Sequence, residues 1–208
     1  MKKIVAINCS PRSAWNTAAL VREAAKGAVE QGAEVQIIDL YKLEKFTGCV
    51  SCFGCKLPQS LGKCTCKDGL TPVLEAIRNA DGLIIGSPNY LGDVTSGFRA
   101  LFERLIFQSL TYKTEVRSYN EKQIPVLMIM TSNASEDFYT QIGYDTMLQR
   151  YQGSLGAEEQ DADQILTYMA LMIREAQAKG ISLRREAFQE CGRGYMQVLS
   201  FLKIFPKV

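Results

Sequence analysis

Histidine is absent from all 208 residues. Its absence excludes Ser-His-Asp hydrolysis, imidazole acid–base catalysis and His-ligated zinc chemistry. Long apolar runs are missing too. None approaches the ~20 residues of a membrane-spanning helix. The apolar stretch after Met1-Lys2-Lys3 is too short for a signal peptide. A soluble, cytoplasmic chain with no membrane partner is the expectation. Charge excess is small: Lys+Arg 24 against Asp+Glu 22 leaves +2. No basic stripe stands out, which speaks against nucleic acid as a partner. The G-x-G-x-x-G of dinucleotide loops and the G-K-S/T of nucleotide triphosphatases are also missing.

What is present is a globular composition. Apolar residues make up 47% and charged residues 22%, which excludes a disordered tail, a collagen-like fibre and a coiled coil. The length predicts one domain over 1–208, able to bury a core without staples. Cysteine is the uneven component. Five of the 7 lie between Cys49 and Cys66, in a cysteine-rich insertion at about 48–67. Without a secretory signal, such a cluster reads as metal-binding or redox-active rather than as a disulfide framework.

Apolar runs and helical periodicities alternate. Ile4 to Ile7 reads as a strand buried on both faces. Leu20, Val21, Ala24, Ala25, Ala28 and Val29 recur at helical steps from Thr17, ending at Gly32. Val35 to Ile38 reads as an edge strand, and Pro72 opens a helix running to Asn79. Leu83 to Ile85 and Val126 to Met130 read as buried strands. Thr95 to Gln108 predicts a helix with Phe98, Leu101, Phe102, Leu105 and Ile106 on one face. Lys179 to Leu202 predicts a terminal helix. A further strand is expected within Gly153 to Thr167, where the pattern does not locate it. The sum is an α/β three-layer sandwich around a central parallel sheet of about five strands. Ligands bind such sheets at the carboxyl ends of the strands.

The loop after the first strand holds Ser10, Arg12, Ser13, Asn16 and Thr17. Helix-start amides and the positive dipole end suit a phosphate there. Hydroxyls without either glycine signature point to a mononucleotide monophosphate. An ordinary capped helix is the competing reading, since Ser and Thr are common caps. In the cysteine segment, Cys49, Cys52 and Cys55 recur every third residue, and Cys64 follows. Three thiolates at this pitch can wrap one corner of a 4Fe–4S cluster, with Cys64 ahead of Cys66 as the fourth ligand. Zinc fits less well, as it takes separated Cys pairs. A metal-free, reduced loop is the third reading. Cys9 and Cys191 read as packing residues. Arg184-Arg185 and Glu158-Glu159 read as solvated faces, and the Phe98 to Phe107 stripe as core or a subunit interface.

Ser10-Pro11-Arg12, then Asn16-Thr17 and an aliphatic helix, resembles the FMN-phosphate loop of NADPH-dependent FMN reductases and iron–sulfur flavoproteins, which have the flavodoxin-like fold. Relatives read glycine where Cys9 stands. Gly86 to Asp93 resembles the loop that meets the isoalloxazine ring, and Thr131-Ser132-Asn133-Ala134 the third flavin loop. Gly48 to Cys52 and Gly62 to Cys64 resemble the family's cysteine segment, and Phe188 to Tyr195 its terminal helix. The resemblance implies FMN, with its phosphate on the first loop. Its ring would lie on Pro88, Asn89, Tyr90, Leu91 and Gly92 and on Thr131, Ser132 and Asn133. A flat, largely apolar ring wants such apolar surface and close backbone.

The implied activity is FMN-dependent NAD(P)H oxidation that passes electrons to a small acceptor. The flavin carries the chemistry, so no catalytic side chain is required. The alternative is an iron–sulfur flavoprotein relaying electrons between protein partners. A third reading is a zinc-stabilised α/β module without catalysis. Apolar density from Phe98 to Leu110, together with the resemblance, predicts a homo-oligomer.

Overall fold

The computed structural model describes residues 1–113, 115, 118–120, 122, 124–132, 138, 141–143, 146–147, 150–151 and 154, and the backbone of the strand at 165–171. The elements run β1 (Lys3–Asn8), α1 (Asn16–Glu30), β2 (Glu34–Asp39), α2 (Thr71–Arg78), β3 (Gly82–Pro88), α3 (Ser96–Ser109), β4 (Val126–Ser132) and β5 (Ile165–Leu171). Short 3-10 turns at Leu40–Lys42, Gly54–Lys56 and Pro58–Ser60 occupy the connection between β2 and α2. The sheet order is β2-β1-β3-β4-β5, and all its pairings are parallel. The expected fifth strand therefore exists, but it starts at Ile165 and runs past Thr167. The terminal helix from Lys179, with Cys191 and Arg184-Arg185, lies outside the described residues, as do Glu158-Glu159.

Strand alternation divides the core. Ile4, Ala6, Ile84, Leu127 and Ile129 pack under α1. Val5, Ile7, Leu83, Ile85, Val126, Met128 and Met130 pack under α2 and α3. With both faces covered, the central strands read as unbroken apolar runs. At the edge, β2 buries only Ile38, which explains its polar interruption. Phe98 and Leu101 of α3 are fully buried; truncating Phe98 to Ala should cost about 3–5 kcal/mol. Among the described residues no helix is long and apolar enough to cross a membrane.

Helix ends are set locally. At the end of α1, Gly32 N–H bonds Val29 O (2.9 Å) and Ala33 N–H bonds Ala28 O (3.1 Å). Gly32 itself sits at φ +86°. This is a Schellman stop, which the Cβ of other residues disfavours. A second glycine positions the site. A Cβ on Gly86 would strike Val21 Cγ2 and approach Thr17 Cγ2 at 3.2 Å. Its absence lets α1 lie directly over β3, close to the strand ends.

Candidate functional site

The sheet order reverses direction between β1 and β3, so the loops leaving them diverge to opposite faces and open a crevice. The first loop is held from below. Asn8, fully buried, accepts Ser10 N–H on Oδ1 (3.1 Å) and donates to Asp39 Oδ1 (2.9 Å). Arg22 of α1 donates to Ser13 O (2.8 Å) and to both Asp39 oxygens (3.0 Å). Lys42 adds a 3.0 Å ion pair. Burial pushes Asp39 up, but Asn8, Lys42 and Arg22 outweigh it and hold the carboxyl below its ordinary value.

No side chain caps α1; its N-cap is Trp15. The capped-helix reading of this loop is thereby set aside. Ser10 instead accepts Arg12 N–H (3.1 Å), and the exposed Arg12 guanidinium stacks over Trp15 at 4.8 Å. Ser13 and Asn16 are half-buried on the same rim. Thr17 is buried, and its hydroxyl meets that of Thr131 at 2.7 Å. That bond uses one hydroxyl hydrogen and leaves the other for a further acceptor. Cys9 does not face this rim. Its side chain is in the core, its N–H bonds Gly86 O (2.7 Å), and burial pushes its thiol up. Cysteine is tolerated at this position because its Cβ points away from the loop.

The second loop is a tight turn. Tyr90 and Asp93 exchange backbone hydrogen bonds of 2.8 and 3.1 Å, with Leu91 at φ +56° and Gly92 at φ +82° between them. Two consecutive positive φ values mark a type I′ hairpin turn. Gly92 is required by this conformation rather than by crowding. Leu91, at 107% exposure, holds a strained backbone at the tip, and Tyr90 beside it is exposed. Asn89 braces the turn: its Oδ1 accepts Gly92 N–H (2.8 Å) and its Nδ2 donates to Ser132 Oγ (3.3 Å). Asn89 N–H also bonds Thr131 O (2.7 Å). Pro88 ends β3. Thr131 and Ser132, both buried, end β4 beside it, while Asn133 lies outside the described residues. Thr95 ties the layers together, capping Phe98 N–H (3.2 Å) and donating to Cys9 O (2.8 Å).

The cysteine segment forms a separate small pocket. Cys49, Cys52, Cys55, Cys64 and Cys66 all line it, with Phe53, Arg104 and Gln108 among the walls. Every described cysteine is unpaired. Among the described residues no three metal-binding side chains converge on one ion. Burial pushes the Cys55 and Cys66 thiols up, whereas hydrogen bonds from Gly54 and Thr65 hold Cys52 down. Ser51 (φ 53°) and Phe53 (φ 57°) are strained here. Lys56 anchors the segment, donating to Phe107 O and to Gln108 O (3.3 Å) and Leu110 O (2.6 Å) at the end of α3.

The relation of this chain to known proteins agrees with that geometry. The family model of NADPH-dependent FMN reductases matches residues 2–137. The chain belongs to the NADPH-dependent FMN reductase family. Within it, the chain is similar to an iron–sulfur flavoprotein of Methanocaldococcus jannaschii, 37% identical over 102 residues, covering 49% of this chain and 51% of that one. The chain spans about half the length of the curated relatives it matches. Among solved structures, an NAD(P)H:quinone oxidoreductase from Methanothermobacter marburgensis superposes with TM-score 0.66 at 12% identity, covering 98% of this chain and 97% of that one. A flavodoxin from the domain Archaea gives TM-score 0.52 at 14% identity, over 98% and 99%. The fold is flavodoxin-like.

Several supports of this family site escaped the sequence reading. Asn8, Arg22 and Asp39 lock the first loop. A further row of bonds leaves the second. Asp93 Oδ1 accepts Tyr151 Oη–H (2.9 Å), Arg99 donates to Tyr151 Oη (3.2 Å) and Glu103 (3.0 Å), and Glu103 Oε2 accepts Cys49 N–H (3.3 Å). The row joins the turn to the cysteine segment along α3. Arg104 is the other omission. An arginine set among apolar positions of α3 was the available signal.

Proposed function

We propose that the chain is an FMN-dependent NAD(P)H oxidoreductase passing electrons to a small acceptor. The observation that carries this reading is the meeting of the loop after β1, the turn after β3 and the end of β4 at one edge, beside a helix start that no side chain caps. Ser10, Arg12, Ser13, Asn16 and Thr17 would hold the phosphate. Pro88 to Gly92, Thr131, Ser132 and Asn133 would orient the ring, with Tyr90 and Leu91 offering apolar surface. Bound flavin supplies hydride acceptance and return. The side chains bind and orient it, in keeping with a histidine-free chain. We assign the whole chain to one such domain with an insertion at about 48–67, located in the cytoplasm as a homo-oligomer. The test is flavin extraction from purified protein, then NADH and NADPH oxidation with quinone and azo acceptors. Absence of FMN binding, or binding without reductase turnover, would overturn it.

A second reading adds an iron–sulfur cluster and electron exchange with redox proteins. Its support is the donor set: five thiols on one cavity, a soft-ligand array suited to iron. Cys49, Cys52, Cys55 and Cys64 would hold the cluster, which supplies one-electron transfer when bound. Anaerobic iron and sulfide analysis tests this reading.

A further inference from the structure

Arg104 lies on the wall of the cysteine cavity with its side chain 1% exposed. A guanidinium carries five N–H donors and cannot shed its charge. Nη1 donates to both Asp68 oxygens at 2.6 Å, and Nη2 donates to Cys66 O at 3.2 Å. Nε–H, fully buried, has no partner among the described residues. It is the one such side-chain atom among them. The Cys64 thiol lies against the same guanidinium. Burial works against the arginine's charge, and Asp68 and Cys64 offset it, so the group stays firmly protonated.

An orphaned buried donor is costly, and a charged one more so. Asp68 balances the charge of Arg104 but leaves Nε–H unanswered. Asp68 is itself committed elsewhere. It accepts Leu70 N–H at 3.0 Å and Thr47 N–H at 3.4 Å. Gln108, one turn beyond Arg104 on α3, fixes the cavity from the same side by accepting Cys64 N–H at 3.1 Å. The unpaired donor therefore belongs to a residue in the wall of a pocket lined by five cysteines. Thiolates and inorganic sulfide are acceptors that would complete it.

We propose that Arg104 is a positioning residue for a thiolate-bound iron cluster, donating through Nε–H to sulfur and offsetting the charge of the cluster. This rests on the second reading above. Hydrogen bonds to sulfur and local charge set the potentials of such clusters. A fixed cation stabilises the more negative, reduced form, so removing it lowers the midpoint potential. Release of iron should also quicken, since the sulfur ligands lose a donor.

The test is anaerobic reconstitution of the wild type, Arg104→Lys and the double variant Arg104→Met/Asp68→Asn. The double variant removes the cation and its carboxylate together, so it reads the lost N–H donor rather than net charge. FMN content and thermal melting report folding. The double variant should load iron, with its oxidised-to-reduced balance shifted about tenfold, or about 59 mV lower for a one-electron couple. Iron release to a chelator should accelerate. Arg104→Lys keeps the ion pair and loses Nε–H, and should shift in the same direction. Should the double variant not fold, Arg104→Lys decides the matter by the same measurements. A wild type that binds FMN but takes up no iron overturns the cluster reading, and this inference with it. A loaded wild type whose potential and iron release match those of the variants overturns the role of Arg104 alone.

Discussion

Thr17 and Thr131 stand 114 residues apart in sequence and share a buried hydroxyl–hydroxyl hydrogen bond of 2.7 Å. One opens α1; the other ends β4. The bond fixes the phosphate-type loop to the strand that carries the third loop. Helix start and sheet edge are thereby held in one geometry before any ligand arrives. Such preorganisation lowers the ordering cost of binding.

Replacing Thr17 by Val keeps the shape and removes this bond. Stability should fall by about 1 kcal/mol. FMN should weaken further than riboflavin, because only FMN presents a phosphate to the remaining hydroxyl hydrogen. Arg12→Ala should cost FMN about 1–3 kcal/mol through loss of a charged contact. Fluorescence titration with both flavins checks this; equal losses for the two ligands would contradict it.

Leu91 occupies the left-handed region at φ +56°, which costs a non-glycine residue about 1–2 kcal/mol. Leu91→Gly relieves that strain at some entropic cost. Thermal melting should show a gain of about 0.5–1 kcal/mol. FMN affinity should drop in the same variant, because apolar surface is lost at the ring. Gly92→Ala, at φ +82°, should destabilise although nothing crowds the position more closely than 3.8 Å.

Asp39 gives a pH signature. Its folded-state value is depressed, so its contribution is present above the unfolded value of about 3.9. That contribution is lost as pH falls through the lower, folded value. Urea unfolding of the wild type and Asp39→Asn should differ at neutral pH and converge in acid. A gap between them that widens on acidification would contradict the assignment.

The cysteines separate by variant. Cys64→Ser should lose iron and sulfide together while FMN remains, because the phosphate-type loop is a different element. Cys66→Ser should retain iron. Iron and sulfide assays on reconstituted variants decide between them.

Light scattering should give at least twice the 23.2 kDa chain mass. The sequence argument for this assembly was the apolar density of α3. Within the chain, that density already serves the core through Phe98, Leu101 and Phe102. It serves the cysteine segment through Phe107, which meets Phe53 edge-on at 5.4 Å. The expectation now rests more on exposed Trp15, Tyr90 and Leu91 on the first two loops. A monomer at micromolar concentration would contradict it.

Much of the site was legible because parallel sheets write themselves plainly. Continuous runs such as Leu83 to Ile85 mark strands covered on both faces, and the loops after them mark the ligand edge. β5 was not placed, because no glycine or proline punctuates the chain between Gly156 and Gly180. An apolar run without such breaks is equally consistent with helix. The supports of the site were hidden for a different reason. Asn8 with Asp39, Asp93 with Tyr151, and Arg104 with Asp68 are contacts across the fold, and no local spacing announces them. Cys9 was legible as a packing residue, and it is one: it stands where relatives carry glycine, and its side chain turns into the core.

Lys56 carries a last consequence. Its ammonium collects the carbonyls that α3 leaves unsatisfied after Phe107. Arg104 and Gln108, which form the cavity wall, belong to those same final turns. The cysteine segment and the end of α3 should therefore open and close as a single cooperative unit. Amide exchange in the last turn of α3 would slow whenever the segment is ordered by what it binds, so a backbone signal from the helix rather than from the segment would report the occupancy of the cavity.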